Sequence, residues 1–411
     1  MTSVNPPECN RLADCYFYYW PDLKLRAKVD RLYEDSRQAV SAEVTIISEA
    51  LGKPEHIHQS RLILTSTKSR KDVVNVVSER WPETDWVAIM EQLCVMTLRQ
   101  HRQGEPVLQI GNLPLPPEKR YRLEPLLQES QPTLIYGPGG VGKSYFLVWV
   151  CCLVQFNVPS SGMIPTQGNV LLLDYETCPE EQNERIKAIR NGLGVSSGDI
   201  YYRYCEQPLP YDITEIQRIV LENDIKLIAI DSVVAAAGAD PDKAEVATQY
   251  FNALRSLKIT SLSVDHTAKS PESKGPFGSV FKYNRARSVF ELRKSQEPGE
   301  NTIELGLYHR KVNSGRLLPP SGYRITFSTN EFGIMETVTF SKIDVRQVPE
   351  LAGALPIKDR IAGLLVRGPM TTAELAETMD TGESTIRAIL NRHKNIFTKV
   401  KNKWGLLTSE E

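Results

Sequence analysis

Hydrophobic spacing changes twice along this chain, and the changes mark three parts. Over 23–29, 40–46 and 60–65 apolar and polar residues alternate. A period of two puts every second side chain on one face, which predicts half-buried strands. Helical spacing follows over 69–81 and 86–102 before the proline-bearing run 113–117 punctuates the chain. Residues 1–112 are therefore expected to form a small α+β domain.

From Leu134 the texture becomes short, continuously apolar runs at 134–136, 170–173, 227–230 and 261–264, separated by helical stretches. A parallel sheet covered on both faces requires such runs, so the middle part, 113–347, is expected to be α/β. Runs at 302–307 and 323–327 alternate again and should extend the sheet with antiparallel strands. After a second proline-bearing linker, 348–356, three short helices are predicted at 357–367, 372–379 and 383–393, with Thr371 placed to cap the second. The segment 396–407 alternates as a hairpin does. Three helices and a hairpin are the order of a winged helix-turn-helix, expected over 348–411.

Composition narrows the class. A chain of 411 residues is too long for one ordinary core. Its apolar share of 41% and charged share of 24% are those of a globular protein. The longest apolar run, 145–156, is too short to cross a bilayer, and no basic-then-apolar order opens the chain, so a cytoplasmic protein is expected. The seven cysteines show no metal-ligand spacing. Formal net charge is only −1, so any contact with nucleic acid must come from local patches.

The strongest chemical signal is Gly137-Pro138-Gly139-Gly140-Val141-Gly142-Lys143-Ser144, entered from an apolar strand and followed by an apolar helix that begins with Tyr145. Such a loop closes backbone N–H groups around a triphosphate at a helix N-terminus, brings a lysine to the β and γ phosphates and offers a hydroxyl to Mg²⁺. ATP and Mg²⁺ are the expected cofactors. Hydrolysis also needs a carboxylate beside the metal and a group that orients water. Asp231 ends the apolar run 227–230 and is the metal-side candidate, although an acid there also caps a following element. Asp174 and Glu176 both end the run 170–173; Glu176 reaches further and is favoured. Glu180 and Glu181 follow Pro179 and read as the start of a helix. His266 ends a third apolar run. A histidine there serves either as a structural hydrogen-bonder or, since it leaves the same sheet edge as Asp231 and Glu176, as a sensor of the γ-phosphate.

Together, the phosphate loop, Glu176, Asp231, His-Thr-Ala-Lys at 266–269, and Gly278-Ser279 followed by Arg287 resemble the RecA-fold ATPase core of the RepA-type hexameric replicative helicases, over roughly 120–335. The resemblance implies a RecA-like core, a nucleotide held between subunits of a homo-oligomer, a hexamer in that family, and Arg287 entering the neighbour's site. Arg310 and Lys311 are second candidates for that role. It also implies that Lys269 and Lys274, in the Ser-, Pro- and Gly-rich stretch after His266, face single-stranded DNA in a central channel.

The C-terminal part offers its own footprint for duplex DNA. From Ser384 to Trp404 there are six cations, Arg387, Arg392, Lys394, Lys399, Lys401 and Lys403, and no acid. Ser384, Thr385 and Arg387 open the helix expected to enter the major groove; Lys399, Lys401 and Lys403 are expected along one face of the wing. A solvated basic face, or a protein-docking module, would share this pattern. Three readings follow: a DNA-translocating ring ATPase and helicase of a mobile element, a RecA-like recombinase or loader, and a DNA-binding regulator with an ATPase switch.

Overall fold

Five strands, β1 (Glu8–Leu12), β2 (Cys15–Trp20), β3 (Leu25–Glu34), β4 (Val40–Ser48) and β5 (Glu55–Ile63), pair antiparallel in sequential order. In β2 every residue after Cys15 is aromatic, yet Tyr16, Tyr18 and Trp20 are buried while Phe17 is exposed. Period-two geometry sorts the rings, not their polarity. Helices α1 (Thr67–Arg80) and α2 (Trp86–Gln103) contribute Val73, Val77, Ile89 and Leu93 to the same core. Two buried polar tips find partners there: the Tyr18 hydroxyl lies 2.8 Å from Thr97 Oγ1, and Trp20 Nε1 donates to Gln92 Oε1 at 2.8 Å. Ser66 caps α1.

The computed structural model describes residues 4–12, 15–49, 55–103, 107–114, 118–238, 243–267 and 280–407. It falls into two units, 1–118 with 211–222 and 119–210 with 223–411.

In the second unit the chain runs β6 (Tyr121–Glu124), β7 (Leu127–Gln128), β8 (Pro132–Gly137), α3 (Lys143–Phe156), β9 (Ile164–Pro165), β10 (Asn169–Asp174), α4 (Pro179–Gly192) and β11 (Tyr201–Tyr204). Helix α5 (Leu209–Glu222) belongs almost wholly to the first unit, and the second resumes with β12 (Ile225–Asp231), α6 (Val233–Ala237), α7 (Ala244–Ser256), β13 (Thr260–His266) and α8 (Val280–Arg285). The long strands β14 (Ser288–Ser295), β15 (Thr302–Val312), β16 (Ser321–Thr329) and β17 (Met335–Ile343) complete the sheet. Its order is β11-β10-β12-β13-β8-β14-β15-β16-β17. The strands from β11 to β14 run parallel, and β15, β16 and β17 add antiparallel. This is the expected α/β class, with a parallel-rich sheet at its centre.

Helix α3 is apolar all round because it is enclosed: Phe146 through Val154 are all buried. Trp149 stacks on Phe340 with centroids 4.4 Å apart and meets Tyr323 at 5.4 Å, which ties the helix after the phosphate loop to the antiparallel strands. Removing a ring so placed costs about 3–5 kcal/mol.

The chain ends with α9 (Pro349–Ala352), α10 (Ile357–Val366), α11 (Thr372–Met379), α12 (Glu383–Arg392) and the hairpin β18 (Phe397–Val400) with β19 (Lys403–Leu406). Thr371 and Glu374 form a capping box on α11. Ile361, Leu375, Ile386, Leu390, Phe397 and Trp404 build a separate core, so the three helices and the hairpin pack on one another.

Candidate nucleotide site

All parallel strands end on one edge of the sheet, and sequence-distant residues meet there. At the end of β8 a Cβ on Gly137 would lie 2.6 Å from the Leu292 carbonyl oxygen, so only glycine fits. Gly140 and Gly142 then take φ values of +66° and +96°, turning the chain into α3. Pro138, Gly139 and Gly140 are exposed around the opening of the loop, Val141 is buried beneath it, and α3 starts at Lys143. Tyr145 has its ring packed edge-on to Phe327 and under the Arg185 guanidinium, so it offers a phosphate only its backbone N–H.

Lys143 Nζ donates to the carbonyls of Gly137 at 3.0 Å and Pro138 at 2.9 Å, and lies 3.5 Å from His266 Nδ1. Among the described residues no carboxylate comes within ion-pair distance of it. Burial lowers its pKa, against the pull of Asp231, Glu176 and Asp265. A buried ammonium held only by carbonyls lacks negative charge, and a triphosphate in the loop would supply it. The residues present fit that ligand.

Asp231 ends β12, buried, and accepts the Ser144 hydroxyl. Burial pushes its carboxyl up to about 6; the Ser144 bond opposes this, and Glu176 and Asp174 add to it. Such a carboxylate is also short of a cation, so Ser144 and Asp231 are the residues that would hold Mg²⁺.

The choice between Asp174 and Glu176 turns on their partners. Asp174 is fully buried and accepts from the backbone N–H of Glu176 at 2.9 Å and of Thr177 at 3.0 Å, and from the side chains of Thr177, Gln182 and Tyr202. Its lone pairs are spent on shaping the turn. Glu176 stands out from that turn, exposed, accepts from the Ser232 hydroxyl, and lies 3.7 Å from His266 Nε2. Strand pairing sets His266 opposite Gly137. Lys143, Ser144, Glu176, Asp231 and His266 are thus brought together. Sequence reasoning misses Ser232, Gln182, Tyr202 and Arg185; only Ser232, a hydroxyl adjoining the strand-end acid, carried a signal.

Arg287 lies elsewhere. Its N–H donates to the Pro132 carbonyl at the start of β8, which then runs roughly 16 Å to the loop at about 3.3 Å per residue. The arginine is therefore at the opposite edge of the sheet from its own phosphate loop, with its side chain exposed. Arg310 is paired with Glu291 at 2.7 Å, and Lys311 Nζ donates to three carbonyls, those of Tyr283, Asn284 and Ala286. Lys269, Lys274 and the Gly278-Ser279 pair lie outside the described residues.

In the C-terminal part Ser384, Thr385, Arg387 and Arg392 are exposed on α12, and Lys399, Lys401 and Lys403 on the hairpin. The expectation that these three lysines share one face is overturned by the register. Lys399 pairs with Trp404 and Val400 with Lys403, so Lys399 and Lys403 lie on opposite faces. The turn at Lys401, whose φ is +58°, interrupts the alternation. Lys399 lies over the Trp404 ring, 5.8 Å from its centroid, and instead shares a groove of about 420 Å³ with Arg387, Asn391 and Lys394. Glu383, 3.6 Å from Arg387, supplies an acid just outside the acid-free stretch.

A model of the AAA domain family matches residues 101–272, a span that includes the loop, Glu176, Asp231 and His266. No curated protein matches the chain. Among solved structures, a KaiC-like protein from the hyperthermophilic archaeon Pyrococcus horikoshii OT3 is similar at 15% identity and a TM-score of 0.39, covering 55% of this chain and 99% of that one. The loop geometry and the AAA match define a P-loop nucleotide-binding domain of the nucleotide-hydrolysing class. Among the described residues no helix is long and apolar enough to cross a membrane.

Proposed function

We propose that the protein is a Mg-ATP-dependent, DNA-translocating ring ATPase, a hexameric replicative helicase of a mobile element. The observation that carries the oligomeric part is the position of Arg287: an exposed guanidinium at the sheet edge remote from its own loop can act on a phosphoryl group only in another copy. Repeating that heterologous contact builds a ring where the rotation closes and a filament where it does not, and the ring is the assembly proposed here.

Hydrolysis then divides between chains. In one copy Glu176, its carboxylate fixed by Ser232 and its backbone by Asp174, orients water for in-line attack on the γ-phosphorus. Lys143 and the loop N–H groups oppose the charge that develops on the phosphoryl oxygens. When bound by Ser144 and Asp231, Mg²⁺ supplies further charge neutralisation at the phosphates. His266, within 3.5 Å of Lys143 Nζ and 3.7 Å of Glu176, is placed to register loss of the γ-phosphoryl. Arg287 of the adjoining copy completes the charge.

DNA contact is assigned to two places. Lys269 and Lys274 follow His266 in sequence and would meet a single strand in the channel. The groove of Arg387, Lys394 and Lys399, with Ser384 and Thr385 at the start of α12, would meet duplex. Steady-state ATP hydrolysis with and without single-stranded DNA, a forked-duplex opening assay, and negative-stain imaging with ATP and DNA test this reading. Stimulated hydrolysis, an opened fork and closed rings support it. Filaments without strand separation point to a recombinase or loader, and DNA-independent slow hydrolysis with sequence-specific duplex binding to a regulator.

A further inference from the structure

At the edge of the sheet remote from the phosphate loop, four cations gather. Arg255, Arg285, Arg287 and Lys311 stand close enough to repel: burial and then the charges of Arg285 and Arg287 lower the pKa of Arg255, and burial and then Arg287 and Arg255 lower that of Lys311. Among the described residues no carboxylate lies within ion-pair distance of any of the four. Two of them are nevertheless fully engaged. Lys311 Nζ donates to the carbonyls of Tyr283 at 2.9 Å, Asn284 at 2.8 Å and Ala286 at 2.6 Å, and Arg255 Nη2 to that of Arg285 at 2.9 Å. These are the carbonyls at the C-terminal end of α8, where the helix leaves its last oxygens unpaired and carries a negative partial charge. Two residues on, the Arg287 N–H is held by Pro132 and its carbonyl by Asn313. The other side of α8 is tied by Lys282 Nζ to Asp265 at 3.0 Å, both buried.

We infer that Lys311 and Arg255 are positioning residues for Arg287: by binding every free carbonyl from Tyr283 to Ala286 they fix the backbone that presents the Arg287 guanidinium to a nucleotide in a second copy of this chain. The inference rests on the reading of Arg287 given above. It assigns Lys311 a role through the α8 carbonyls and not through the phosphate itself. A short helix end with unpaired carbonyls would fray, and a frayed end would spread the guanidinium over many positions; held there, it is pre-organised.

The test compares full-length parent, Arg287→Ala, Lys311→Met, Arg255→Met and the double variant Lys311→Met/Arg287→Ala. kcat for ATP hydrolysis and the Kd of a fluorescent ATP analogue are read for each. Lys311→Met is expected to lower kcat by at least about tenfold while leaving Kd within about twofold, since its own phosphate loop is untouched. In the Arg287→Ala background it should change kcat by less than about twofold, because residues acting through one another are non-additive. Arg255→Met, expected to fall in the same direction, keeps the test alive if Lys311→Met does not fold. Losses that multiply, or a Lys311→Met chain with the parent's kcat beside a slow Arg287→Ala, overturn the inference alone. An Arg287→Ala chain hydrolysing at the parent's rate overturns the reading of Arg287, and the inference with it.

Discussion

The two edges of the nine-stranded sheet treat charge in opposite ways. At the edge where the parallel strands end, Lys143, Asp231, Glu176 and His266 gather, and burial works against the charge of Lys143 and of Asp231, which a polyphosphate and a cation would complement. At the remote edge Arg255, Arg285, Arg287 and Lys311 lie near one another, and among the described residues no carboxylate is within ion-pair distance of them. One edge is shaped to take an anion in; the other holds a cation out. Neither is a whole site, and on the proposed reading the difference means that the chemistry is split between copies.

Removing the exported cation should have the largest effect. Arg287→Ala is expected to lower kcat by about 10³-fold, the scale of a lost transition-state arginine, with nucleotide affinity nearly unchanged; phosphate-release kinetics and fluorescent-nucleotide titration check this. A comparable rise in Kd with kcat intact would place Arg287 in ordinary binding instead. At the other edge, Glu176→Gln should retain nucleotide but hydrolyse it about 10²-fold more slowly. Asp174→Asn should act differently: with five hydrogen bonds converging on it, its loss is expected to lower the melting temperature as well as kcat, a contrast readable by calorimetry.

That contrast also shows what was legible in the sequence. The phosphate loop, Asp231 and His266 could be read because an apolar run ending in a chemical group places that group at the sheet edge by geometry alone. Glu176 was preferred over Asp174 on reach, and the structure adds a second ground: Asp174 is consumed by Thr177, Gln182 and Tyr202. Those partners were illegible, since Tyr202 stands on β11, a strand whose sequence Tyr-Tyr-Arg-Tyr has no apolar alternation. Strands β1 and β2 escaped for a related reason, as the aromatic run of β2 shows no polar positions although its burial alternates. Strand β14 joins β8 in parallel and β15 in antiparallel pairing, a change of direction that no local pattern carries. Alternation carried through the hairpin puts its lysines on one face, and the turn at Lys401 resets that alternation.

Smaller effects refine the picture. If the groove on α12 and β18 meets phosphates, Arg387→Ala and Lys399→Ala should each reduce the slope of log affinity for duplex against log salt by about one unit; Lys403→Ala, on the other face of the hairpin, should change it less. Equal effects from all three would restore a single basic face. The smallest expected change concerns His309, near the remote edge. Burial lowers its pKa, and its Nδ1 accepts the Leu318 N–H at 3.0 Å while the ring stacks on Phe290 at 4.2 Å. A histidine held neutral in the fold contributes stability that is fully present above its ordinary pKa near 6.5 and is lost as pH falls through its lowered value. The parent's melting temperature should therefore drop further than that of His309→Gln as pH falls below about 6.5; parallel curves would show that protonating this ring costs nothing.

The most direct measurement mixes two chains that are each disabled at one edge. Lys143→Ala lacks the grip on its own phosphates but keeps Arg287; Arg287→Ala keeps an intact loop. If the site is shared, equal amounts of the two should recover about one quarter of the parental hydrolysis rate, the fraction of junctions in a random ring that pair an intact loop with an intact arginine. A mixture no faster than the average of its two components, although the chains co-assemble by size-exclusion chromatography, would contradict the account.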